Sequence, residues 1–124
     1  MTVLTSLSSA GGKPSIRFVD IPADIGSLSE LLAELGKRLS FPPFFGKNLD
    51  AFWDCVRVLE GVGEYRIVVR HCAMPNLPEK ELSGYIELLW DSVEYWDENS
   101  GEHKFEAWFP DGDRQRLEAF RRKR

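Results

Sequence analysis

Cysteine, histidine and methionine each occur only twice in these 124 residues, and the scarcity is informative. Two cysteines, Cys55 and Cys72, give at most one bridge in a chain long enough to need no staple. They read as reduced, buried thiols. His71 and His103 have no Cys or His partner at metal-ligand spacing. His71 and Cys72 are neighbours on a strand and point to opposite faces. No phosphate-cradling glycine loop is present: Gly11-Gly12-Lys13 lacks both the full motif and a preceding strand. No serine sits in a nucleophile elbow. The paired carboxylates fall on helix surfaces, where solvation keeps them ordinary acids. Neither catalysis nor a cofactor or metal is therefore expected. No apolar run approaches the roughly 18 residues of a membrane span. Met1–Lys13 has neither the basic cluster nor the apolar stretch of a signal peptide, and the expectation is a cytoplasmic protein with no membrane contact.

What is present is enough for one core. Apolar residues make up 43% and aromatics 12%, which fits a single compact domain and excludes wholesale disorder. The net charge of −4 hides an asymmetry. Residues 1–113 carry 10 basic and 19 acidic side chains, whereas residues 114–124 carry 6 basic and 1 acidic. An acidic body repels nucleic acid and attracts basic partners. A nucleic-acid role resting on Arg121–Arg124 is accordingly the weakest reading.

Residues 1–13 read as a flexible Ser/Thr/Gly lead. Ser15–Val19 alternates Ile16 and Phe18 against Ser15 and Arg17, a short strand ended by Ile21-Pro22. Ser27 with Glu30 is a capping box that opens a helix, with Leu28, Leu31, Leu32 and Leu35 inward. Phe41-Pro42-Pro43-Phe44-Phe45-Gly46 forms a stiff aromatic loop. Asn48 caps a second helix running to about Leu59, closed by Gly61-Val62-Gly63. Tyr65–Val69 is a buried strand. Asn76, Pro78 and Glu79 start a third helix that lasts to about Trp96, with Leu82, Ile86, Leu89 and Val93 on one face. Lys104–Phe109 is the last strand, stopped by Pro110 and Gly112, and Asp113–Arg124 reads as a frayed terminal helix. Helical crossovers between short strands predict a small parallel sheet with helices packed on it.

On the second helix, Leu49, Phe52, Val56 and Leu59 share one face, which predicts burial. Asp50, Trp53, Asp54 and Arg57 share another, which should face water. Two aspartates one turn apart repel, at a cost of about 0.2–0.5 kcal/mol. An exposed Trp between paired acids, beside an aromatic loop, has the make-up of an interface centre. The third helix carries Glu87, Asp91, Glu94 and Glu98 along one stripe. Between Leu77 and Glu102 there are eight acids and one base, Lys80. Together the two helices can present one negative surface, while Trp90 and Trp96 are placed by their spacing in the core.

The run Phe44-Phe45-Gly46-Lys47-Asn48-Leu49-Asp50-Ala51-Phe52-Trp53-Asp54-Cys55-Val56 resembles the signature of the barstar family. Members typically read Tyr-Tyr-Gly, a variable residue, then Asn-Leu-Asp-Ala-Leu-Trp-Asp-Cys-Leu. The family comprises intracellular inhibitors of secreted, guanyl-preferring ribonucleases of the barnase type. The resemblance implies an α/β fold, a small three-stranded parallel sheet with helices packed on it, in the order strand-helix-helix-strand-helix-strand. It covers residues 14–110, with 1–13 as a lead and 111–124 as a basic extension. It implies that Asp54 takes the place of a substrate phosphate among the nuclease's basic side chains, that Asp50 is a second contact, and that Asn48, Trp53 and Phe44 lie at or beside the interface. Asp91 and Glu94 are candidates for a further acidic contact on the third helix. Two residues depart from the family pattern: Phe44 lacks a phenolic hydroxyl, and Lys47 stands where an acid is common. The expected partner is a basic ribonuclease, bound by a protein that is monomeric when free. A second reading keeps the fold and gives it another basic toxin or protein as partner.

Overall fold

The computed structural model describes residues 2–4, 15–42, 48–58, 65–100 and 105–122. Strand β1 (Thr2–Leu4) is followed by β2 (Ser15–Ile21), α1 (Leu28–Arg38), α2 (Leu49–Val56), β3 (Tyr65–His71), α3 (Glu79–Ser100) and β4 (Phe105–Phe109). A 3-10 turn at Asp111–Asp113 then leads into α4 (Arg114–Arg122). The sheet order is β1-β4-β3-β2. β2 pairs with β3, and β3 with β4, in parallel, so the expected three-stranded parallel sheet is present, with its helical crossovers.

β1 adds a fourth, antiparallel strand against β4, with Val3 opposite Trp108. The lead read as flexible thus begins with a strand; its remainder, residues 5–13, lies outside the described residues. The far end differs as well. Leu117 and Phe120 of α4 are buried, and the Leu117 carbonyl accepts a hydrogen bond from Trp90 Nε1 at 3.4 Å. Arg116 pairs with Glu79 at 2.6 Å. The apolar spacing of Leu117 and Phe120 makes α4 a packed helix, so the core continues past Pro110.

The core lies between one sheet face and the helices. Val19, Ile21, Ile67, Val69, Phe105, Ala107 and Phe109 meet the apolar faces of α1, α2 and α3. Alternation along β2 is real, but the inward pair is Val19 and Ile21, while Ile16 and Phe18 stand 46% and 41% exposed on the other face. There the Arg70 guanidinium lies 3.9 Å over the Phe18 ring and makes two bonds to Asp20, of 2.6 and 3.0 Å. Those bonds hold the Asp20 carboxyl below its ordinary range.

One polar group is locked inside. His71 Nδ1 is 3.0 Å from the Trp108 carbonyl, which can only accept, so Nδ1 carries the proton. Nε2 then accepts from the Tyr85 hydroxyl at 2.6 Å. The ring stacks on Phe109 at 4.0 Å. This fastens the end of β3 to both β4 and α3. Burial pushes His71 down to about 4 and the Tyr85 phenol well above its ordinary value. No helix among the described residues is long and apolar enough to cross a membrane.

Candidate partner-binding face

Local signals at the start of α2 fix where its side chains point. α1 ends with Ser40 at φ 60°, in the left-handed region, and Phe41 N–H reaches back to the Gly36 carbonyl at 2.8 Å. The chain re-enters described structure at Asn48, whose Oδ1 accepts from Ala51 N–H at 2.8 Å. Asn48 is therefore the N-cap of α2, and its side chain is engaged in starting the helix. Asp50 in the first turn suits the positive end of the helix dipole.

Phe52 and Val56 anchor α2 in the core. Leu49, on the same face, is half-buried at the rim, and Leu59 lies outside the described residues. α2 sits close to α3 because position 84 is glycine: a Cβ there would meet Leu49 Cδ1 at 3.0 Å. From the other end, Trp96 Nε1 donates to the Val56 carbonyl at 2.9 Å, satisfying an open acceptor at the C-terminus of α2. Trp96 is part-buried against the core, and Trp90 is buried.

Between the two helices runs an open cleft of about 340 Å³, lined by Leu49, Asp50, Trp53, Gly84, Glu87, Leu88 and Asp91. Two carboxylates come from α3 and one from α2, over a floor of Leu49, Leu88 and Trp53. Trp53 is half-buried and packs edge-on to Tyr95 at 5.8 Å. Asp54, one residue on, is 70% exposed at its side chain. A second open hollow, of about 540 Å³, adjoins the first at Leu49 and Asp50 and is lined also by Leu28, Ser29 and Asn48.

Of the residues singled out in the sequence, Asp50, Trp53 and Asp91 thus meet at one cleft, with Asp54 on the adjoining surface. Glu87 joins them; its place in the acidic stripe was readable, its proximity to Trp53 was not. Glu94 is half-buried further along α3 and does not line the cleft. Phe44 lies outside the described residues, as does the rest of the aromatic loop beyond Pro42. The repulsion expected between Asp50 and Asp54 is met by a pairing: Arg57 Nη2 lies 2.6 Å from Asp54 Oδ1.

The cysteines also differ from expectation. Both are free, but Cys72 is exposed and Cys55 only half-buried. Burial, and then the Asp54 charge beside it, pushes the Cys55 thiol up, away from the reactive thiolate. Among the described residues no group of three or more His, Cys, Asp or Glu side chains is arranged to hold a metal ion.

The arrangement has the chemistry to recognise a partner. It offers an aromatic surface rimmed by carboxylates, held on two helices locked to each other and to the core. A family model described as Barstar (barnase inhibitor) matches residues 17–109, well over half of the chain, and ends where β4 ends. With its parallel sheet, helix order and α2 signature, this chain belongs to the barstar family of barnase inhibitors.

Proposed function

We propose that the α2–α3 face caps the active site of a basic ribonuclease of the barnase type and blocks RNA entry. The observation that carries this reading is the convergence of Asp50, Glu87 and Asp91 around Trp53, with Asp54 beside them, in a chain of an inhibitor family. A nuclease cleft built to hold phosphates presents arginine, lysine and histidine. Carboxylates on a rigid surface can occupy those positions without offering a bond to cleave. The acidic body steers the basic enzyme toward this face. In this reading Asp54 is the central contact, Asp50 and Asp91 flank it, and Trp53 supplies apolar area at the centre. Asn48 contributes by holding α2 in place. The protein acts as a cytoplasmic inhibitor, without catalysis of its own. Titrating barnase with the purified protein, with RNA hydrolysis as readout, tests the proposal. Inhibition that saturates at one equivalent supports it, and full activity at a large excess rejects it.

A further inference from the structure

Among the described residues of the α2 surface, Arg57 runs against a purely acidic, nuclease-facing surface. Its side chain folds back along the helix. Nη2 contacts Asp54 Oδ1 at 2.6 Å, Nε is 3.4 Å from the Trp53 carbonyl, and Cζ lies 5.2 Å from the centre of the Trp53 ring. The guanidinium thus occupies the carboxylate, and covers the ring, that the proposed face offers to a partner.

We infer that Arg57 is a specificity-determining residue that competes with a partner's cationic side chain for Asp54, so that removing it tightens binding to basic sites. This rests on the inhibitor reading of the α2–α3 face. Among the described residues Arg57 engages Oδ1 of Asp54, and Oδ2 is left to accept from a partner. A partner that brings a two-pronged guanidinium needs both oxygens and so competes with Arg57 at Oδ1. A partner that brings a single donor, or an acid positioned to face Arg57, need not. The Arg57 and Asp54 side chains are 40% and 70% exposed, so in the free protein the pair is weak and readily exchanged. Closing an interface over it removes the solvent screening. The Arg57–Asp54 attraction that a partner's cation must replace is then stronger. Arg57 therefore selects among ribonucleases by the number and geometry of the cations they place against Asp54.

The test is a double-mutant cycle over Arg57→Ala, Asp54→Ala and the double variant, each first checked for a wild-type-like thermal transition. Two probes are used: a hexa-arginine peptide, followed by amide shifts of α2, and barnase, followed by inhibition. Arg57→Ala should bind the peptide about two- to fivefold more tightly and barnase about tenfold or more. Both gains should vanish when Asp54 is already alanine. Unchanged or weaker peptide binding, or a gain that persists without Asp54, overturns the inference, the latter because it reports net charge alone. If barnase binds and Arg57→Ala does not tighten it, the inference is likewise overturned. If barnase binds none of the variants, its inhibition is the reading that fails, and the peptide cycle alone decides the role of Arg57.

Discussion

Phe52 and Asp54 stand two residues apart on α2 and belong to different problems. Phe52 is fully buried, with its ring edge-on to Phe41 at 5.4 Å. Phe52→Ala should cost about 3–5 kcal/mol through lost burial and a cavity. Asp54→Ala removes one exposed ion pair and relieves one i,i+4 repulsion, so stability should stay within about 0.5 kcal/mol of wild type. Urea unfolding of the two variants checks this, and comparable losses in both would make Asp54 a structural residue. Ser40 offers a gain: glycine there relieves a left-handed backbone, and Ser40→Gly should raise stability by about 0.5–1 kcal/mol, read as a higher urea midpoint. The helical spacing of α2 made Phe52 and Val56 legible as core from the sequence alone. The same spacing put Leu49 with them, because periodicity gives a direction and not a depth; the close approach to Gly84 keeps Leu49 at the rim. Strand alternation likewise separates Ile16 and Phe18 from Val19 and Ile21 without saying which pair faces the helices. The Arg57–Asp54 pair, at i,i+3, was open to the same spacing argument, although spacing alone leaves side-chain reach to decide whether it forms.

At the scale of elements, caps and punctuation made most of the order readable. Ser27 and Asn48 start α1 and α2 where expected, and the Pro78 carbonyl accepts the Leu82 N–H at 2.9 Å at the start of α3. β1 was missed because three residues carry too little pattern, and its partner β4 supplies what the local sequence does not. α3 runs on to Ser100, past the expected end near Trp96, since its last turn meets no glycine before position 101. The His71 clasp was invisible in sequence: it joins β3, β4 and α3 across 14 and 37 positions of chain. It also has a consequence for pH. The folded protein holds His71 neutral down to about 4, whereas the unfolded chain protonates it near its ordinary value of 6.5. The stabilisation is therefore complete above pH 6.5 and is lost as pH falls from there toward 4, by about 3 kcal/mol in all. Asp20, held below its ordinary value by Arg70, contributes stability that is lost at lower pH still. Urea midpoints between pH 7 and 4.5 should fall for wild type and change much less for His71→Gln; equal slopes would remove His71 as the cause.

At the scale of the whole molecule, charge and fold together underlie the proposed partner class. The acidic body was plain from composition, and the α2 signature from the residue string. What the fold adds is that the acids of α3 lie beside Trp53 of α2, which no local pattern contains. If that face steers a basic enzyme, the association rate should drop about tenfold or more as ionic strength rises from roughly 0.01 to 1 M, with a smaller change in dissociation. Stopped-flow mixing over that range measures both, and a flat association rate would separate binding from the acidic face. Asp54 carries the central claim, because removing it leaves a partner's cations buried without a counter-charge. The loss expected is about 2–5 kcal/mol or more, the general cost of truncating one partner of a buried charge pair, for which barnase–barstar is itself a known example. The most direct measurement is inhibition of barnase by wild type and Asp54→Ala at matched thermal stability. The account predicts stoichiometric inhibition by wild type and a loss of at least about thirtyfold in affinity for the variant, mainly through faster dissociation. Equal inhibition by both proteins would contradict it.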